Sequence, residues 1–133
     1  MTNFSEFPHG PLPGSLELAY LGDTVYDLYV RRRLVITGGR MKDLHRAAVA
    51  QVRASAQSEA LARVEDMLTE EEQGVVRRAR NVKQHPPRNA DPADYHRATA
   101  FEALLGYLYL MGREERLQEI LTTANPDKED AHA

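Results

Sequence analysis

The sequence predicts an all-α domain, and three observations carry that prediction. No stretch alternates apolar and polar residues for long enough to make a half-buried strand. Two apolar runs, LELAYLGDTVYDLYV (16–30) and FEALLGYLYL (101–110), are continuous enough for interior helices. Helix punctuation also recurs: Gly38-Gly39 and Gly112 as stops, Thr69-x-x-Glu72 as a capping box, and Asp91-Pro92 as a start.

In chain order, residues 1–14 hold three prolines and two glycines and read as an extended lead-in. Ser15 is a candidate cap for a first helix running to about Ile36, about 30 Å long at 1.5 Å per residue. Its small polar face makes it central. A second helical region covers about Lys42 to Leu68. There Leu44, Ala47, Ala48, Val52, Ala56, Leu61 and Val64 fall near helical spacing, with a break expected around Ser55, Gln57 and Ser58. A third helix follows Thr69 to about Arg80. NVKQHPPRNADP, with three prolines, is a loop. A fourth helix runs from Pro92 to about Met111, and EERLQEILTTA makes a short last one. The whole gives five to seven helices in one catalytic-size domain, 15–123, followed by a polar tail, 124–133, expected to be disordered.

Composition narrows the class. The chain has 133 residues, 42% hydrophobic and 28% charged, as an ordinary globular domain does. With no cysteine, disulfides and thiolate metal sites are excluded. MTNFSEFPHGPLPGS lacks the basic start and apolar run of a secretory signal, and no apolar stretch nears the roughly 20 residues of a membrane span. A cytoplasmic protein is expected. The net charge of −3 weighs against a nucleic-acid partner, but distribution matters more than the sum. Acid gathers in TEEE (69–72) and in DKEDAHA (127–133). Base gathers in RRR (31–33) and in RRARNVK (77–83), followed by Arg88.

Both apolar helices share an anomaly. The first carries Gly22 and Asp23 in its middle. The last long one carries Glu102, with Gly106 one turn along the same face. Glycine weakens a helix interior by about 1 kcal/mol relative to alanine, and a buried carboxylate is costly without a partner. One reading is that Asp23 and Glu102 converge on a hard divalent cation, which takes oxygen ligands, while glycine admits a substrate or a second helix. The other is that Asp23 lies at an exposed helix end, or bonds an arginine such as Arg31, Arg32 or Arg33. The two acids are 79 positions apart, and spacing alone leaves both readings open.

Resemblance favours the first. LAYLGDTVYDLYVRR resembles the Leu-Gly-Asp signature of the ribonuclease III family, and ATAFEALLGYLYL its Glu-Ala-Leu-x-Gly signature, in the same order and separation. DLHRAAVAQVRASAQ (43–57) and RRARNVK…PRNAD resemble the Mini-III branch, which lacks the double-stranded-RNA-binding domain. The resemblance spans roughly residues 14–122, and some 20 residues after the second signature leave no room for such a domain. It implies a ribonuclease III endonuclease-like fold and a magnesium-dependent endoribonuclease, with manganese as a substitute. Such an enzyme cleaves double-stranded RNA by metal-assisted hydrolysis and leaves a 5′-phosphate. It further implies Asp23 and Glu102 as catalytic and metal-binding residues, and a homodimer. The expected role is maturation of large-subunit (23S) ribosomal RNA precursor, with a ribosomal protein helping to present it. Two acids of the full-length family are replaced, by Ala19 and by Thr99, as they are in the Mini-III branch. Of the neighbouring acids Glu17 and Asp27, only Asp27 shares the face of Asp23, at i+4, as a further candidate ligand.

Arg77, Arg78, Arg80, Asn81, Lys83 and Arg88 are the expected RNA-binding strip, with Gln84 a possible hydroxyl contact. Duplex RNA is recognised mostly by shape, through phosphates and 2′-hydroxyls. The competing reading is a solvated helix end whose bases complement the helix dipole. Arg31, Arg32 and Arg33 point three ways on a helix, so one ligand cannot take all three. The histidines at 9, 45, 85, 96 and 132 lack metal-ligand spacing. The tyrosines at 20, 26, 29, 107 and 109 read as core or dimer-interface residues. Two other functions remain: a catalytically inactive RNA- or ribosome-binding module of the same fold, motivated by the missing acids, and a helical protein-interaction domain, motivated by the negative charge.

Overall fold

In a computed structural model, which describes residues 12–126, six α-helices pack with the last long one at the centre. They are α1 (Ser15–Thr37), α2 (Met41–Val52), α3 (Ala54–Val64), α4 (Glu70–Arg80), α5 (Pro92–Leu110) and α6 (Glu114–Ala124), with a 3-10 turn at Glu65–Met67 between α3 and α4. No strand occurs among the described residues. The greater part of the predicted lead-in (1–11) and tail (127–133) lies outside the described residues, as do His9 and His132.

Helix α5 is the axis because it is apolar all round. Every residue from Phe101 to Leu108 except Glu102 is buried, and α5 packs against α1, α3, α4 and α6. A helix without a polar face is stable only inside a protein. Tyr26 of α1 meets Phe101 edge-to-face, with centroids 5.1 Å apart, and its hydroxyl donates to Asn125 Oδ1 at 2.8 Å, so α1 is tied both to α5 and to the end of α6.

Most punctuation acts as its chemistry dictates. Thr69 and Glu72 form the reciprocal capping box of α4, and Asp91 accepts from the Asp94 N–H ahead of Pro92 in the first turn of α5. Gly38 and Gly112 take positive φ, 89° and 71°, at the exits of α1 and α5. Two boundaries differ from expectation. Gly14, not Ser15, occupies the N-cap of α1 and supplies no side chain, while Ser15 is already helical. The break in the second helical region falls at Arg53, whose extended backbone (φ −67°, ψ 158°) separates α2 from α3. Gln57 and Ser58 therefore lie inside α3, and both are buried.

One ion pair anchors the far side. Glu72 is 2% exposed and accepts from Arg116 Nε at 2.9 Å and Nη2 at 2.8 Å. Arg116 also donates to the Met67 carbonyl at 2.7 Å and pairs with Glu119. This closes α6 onto α4 and the 3-10 turn.

Candidate active site

The two anomalous helices meet at their glycines. A methyl group added at Gly22 would overlap the Glu102 carbonyl, and one at Gly106 would overlap the Leu18 carbonyl. Helices α1 and α5 thus cross backbone against backbone, which only residues without a Cβ permit. Glycine here serves the approach of a second helix. Asp23, next to Gly22, and Glu102, opposite it, consequently emerge from one crossing point.

Their carboxyl groups lie within hydrogen-bonding reach of each other. Asp23 is on the exposed side and Glu102 on the half-buried side. Burial is the main reason that the Glu102 carboxyl is pushed up to about 8, and the Asp23 hydrogen bond and charge push the same way. The Gln57 amide opposes them: its Nε2 donates to Glu102 Oε2 at 3.4 Å and to the Val52 carbonyl at 2.7 Å. Two carboxylates in contact share a proton or need a cation between them. This donor set fits a hard divalent ion. It supplies two protein carboxylates, and no cluster of three or more His, Cys, Asp or Glu occurs among the described residues. The remaining coordination positions would fall to water or substrate oxygens, as magnesium commonly accepts.

Neighbouring residues add no third acid. Asp27, one turn from Asp23 on the same face of α1, is paired with Arg31, at 3.1 Å. Ala19 is buried against the core. Thr99 is also buried; its Oγ1 donates to the Tyr95 carbonyl at 3.1 Å and accepts from Gln84 Nε2 at 3.1 Å. Gln84 is therefore tied to α5, one turn before Glu102, rather than offered to solvent. Among the described residues Asp23 makes no ion pair with an arginine; Arg31 goes to Asp27 and Arg33 donates to the Asn125 carbonyl.

The expected RNA-binding residues are all exposed. Arg77, Arg78 and Arg80 end α4, and Asn81, Lys83 and Arg88 lie in the loop before α5. None of the five cations makes an ion pair with a described residue. His45 and His85 are exposed, and His96 is half-buried beside Tyr95. Tyr26 and Tyr107 are buried, whereas Tyr20 and Tyr109 are 84% and 55% exposed. Sequence reasoning missed Gln57. Its signal was a polar residue on the core face of α3, in line with Leu61 and Val64 at i+4 and i+7.

Comparison with known proteins finds relatives over most of the chain. Residues 16–113 match the Ribonuclease III domain family. The chain is 54% identical over 111 residues to the Mini-ribonuclease 3 of Symbiobacterium thermophilum, covering 82% of this chain and 85% of that protein. It is 52% identical to the Mini-ribonuclease 3 of Gloeobacter violaceus, covering 80% and 79%. A crystal structure of a Fusobacterium nucleatum protein superposes with a TM-score of 0.76 at 34% identity, covering 82% of this chain and 88% of that one. With its glycine crossing, its carboxylate pair and these relatives, the chain belongs to the ribonuclease III family, in the Mini-ribonuclease 3 branch.

Proposed function

We propose that this protein is a magnesium-dependent endoribonuclease that cleaves double-stranded RNA and leaves 5′-phosphate ends. The observation that carries the reading is the meeting of Asp23 and Glu102 at the glycine crossing of α1 and α5. Asp23 and Glu102 would hold the ion, with manganese able to replace magnesium. When bound, such an ion acidifies water and stabilises charge building on a phosphate. The chain's own contribution is positional. The crossing fixes the two carboxyls relative to each other, and burial of Glu102 on one side keeps bulk water from competing there. The strip from Arg77 to Arg88 offers charge to phosphates along the duplex, with Asn81 available to 2′-hydroxyls.

A second copy completes the assembly. Leu16, Tyr20, Leu28 and Val35 of α1 are 45%, 84%, 67% and 68% exposed. Exposed apolar side chains of this kind suit a homodimer with one carboxylate pair per subunit. Large-subunit (23S) ribosomal RNA precursor in the cytoplasm is the proposed substrate, with a ribosomal protein presenting it. The second reading, an RNA-binding module without cleavage, draws on Ala19 and Thr99, which leave the pair without further acids.

Cleavage of a long RNA duplex in magnesium, comparing wild type with Asp23→Asn and Glu102→Gln, tests the proposal. Cleavage lost in both variants with duplex binding retained supports it. A wild type that binds duplexes and cuts none supports the second reading.

A further inference from the structure

We infer that Gln57 is a positioning residue that holds the Glu102 carboxylate in the orientation in which it can share a divalent cation with Asp23. The inference rests on the proposed nuclease reading and extends it to a residue outside both signatures. Gln57 is 3% exposed, an unusual place for an amide that could be replaced by an aliphatic side chain of similar volume. Its orientation is set by chemistry. The Val52 carbonyl, one of the last acceptors of α2, can only accept, so the amide atom 2.7 Å from it must be Nε2. The second hydrogen of the same nitrogen then faces Glu102 Oε2, at 3.4 Å.

The other amide atom decides between a mere cap and a positioning role. Gln57 Oε1 is buried and meets no donor among the described residues. A residue kept only to cap α2 would have no reason to leave a buried acceptor unpaired, because buried polar groups are ordinarily satisfied. Oε1 and Nε2 share one carbon, so the spare acceptor lies beside the Glu102 carboxylate. A hydrated cation brings hydrogen-bond donors to that neighbourhood, and groups that orient metal-binding carboxylates typically change metal affinity 10- to 100-fold when removed. The segment also links elements: Gln57 joins the end of α2, the start of α3 and the turn of α5 that carries Glu102.

The test is calorimetric titration of manganese into the metal-free full chain, without RNA, for wild type, Gln57→Met, Gln57→Asn and Asp23→Asn. Met keeps the length and fill but removes both amide atoms, and Asn keeps the amide but withdraws it by one methylene. Urea unfolding and duplex binding in chelator accompany each titration. The expected result is a loss of about 10- to 100-fold in manganese affinity for both Gln57 variants, with duplex binding unchanged. Affinity within about twofold of wild type in a folded Gln57 variant would overturn the inference while leaving the nuclease reading intact. Failure of both variants to fold would assign Gln57 to the fold and overturn it too. A wild type that binds manganese no better than Asp23→Asn would overturn the inference and the reading together.

Discussion

A single methyl group is the smallest change that would take the candidate site apart. Gly22→Ala or Gly106→Ala forces a Cβ into the carbonyl of the facing helix, where backbone rather than a flexible side chain must give way. Each should cost at or above the upper end of the about 1–3 kcal/mol typical of overpacking, read as a lower midpoint in urea. Cleavage should fall by roughly 100-fold, the usual consequence of an ångström of misplacement; full activity in a destabilised variant would show that the crossing does not set the site. Glu102 makes a second prediction at this scale. In metal-free protein its carboxyl is raised to about 8, by burial first and by Asp23 second. The folded state therefore binds that proton more tightly than the unfolded chain. The stability this contributes is complete below the unfolded pKa near 4.5 and is lost as pH rises through about 8. Melting temperature in chelator should fall from pH 5 to pH 8, and Glu102→Gln should flatten the slope. Equal slopes for the two proteins would refute the assignment.

At the scale of elements, α4 does two jobs with opposite ends. Its first turn holds Glu72, whose carboxyl the Arg116 hydrogen bonds keep below the usual range. Arg116→Met would leave that acid buried and unpaired, at a cost of about 3–5 kcal/mol. The double variant Glu72→Leu, Arg116→Met should recover much of the loss, and a double-mutant cycle in urea without such coupling would refute the pairing. The last turn of α4 and the loop carry the exposed bases, and the Gln84–Thr99 hydrogen bond leashes that loop to α5 one turn before Glu102. What the sequence revealed at this scale depended on local chemistry. The capping box at Thr69, the Asp91-Pro92 start and the glycine stops were legible because each acts within one turn. The position of the α2–α3 break was not, since Arg53 carries no turn signal and the bend arises where α3 turns its Gln57 face inward to meet α5. Gln57 itself looked like a loop residue for the same reason: its partner Glu102 lies 45 positions away.

For the whole molecule, the exposed apolar side chains of α1 predict the state of assembly. Tyr20→Asp with Leu28→Asp should convert a dimer to monomers in analytical ultracentrifugation while helical content stays unchanged, and a wild type that sediments as a monomer would refute the interface. The all-α class and the interior place of α5 were readable from continuous apolar runs, whereas α1, expected to be central from its own run, leaves Tyr20, Leu28 and Val35 exposed. The meeting of Asp23 and Glu102 was reached through resemblance, because periodicity places residues on a face without saying which faces touch. That contact also has a consequence in time. Gly22 and Glu102 are 80 positions apart, so at about 5–20 residues per second the ribosome makes the second partner roughly 4 to 16 seconds after the first. Throughout that interval α1 waits with its bare glycine groove uncovered, and Asp23 stands alone. A nascent chain therefore has no assembled carboxylate pair while it is still threaded through the RNA-rich machine that makes it, and becomes a potential nuclease only once α5 has been delivered.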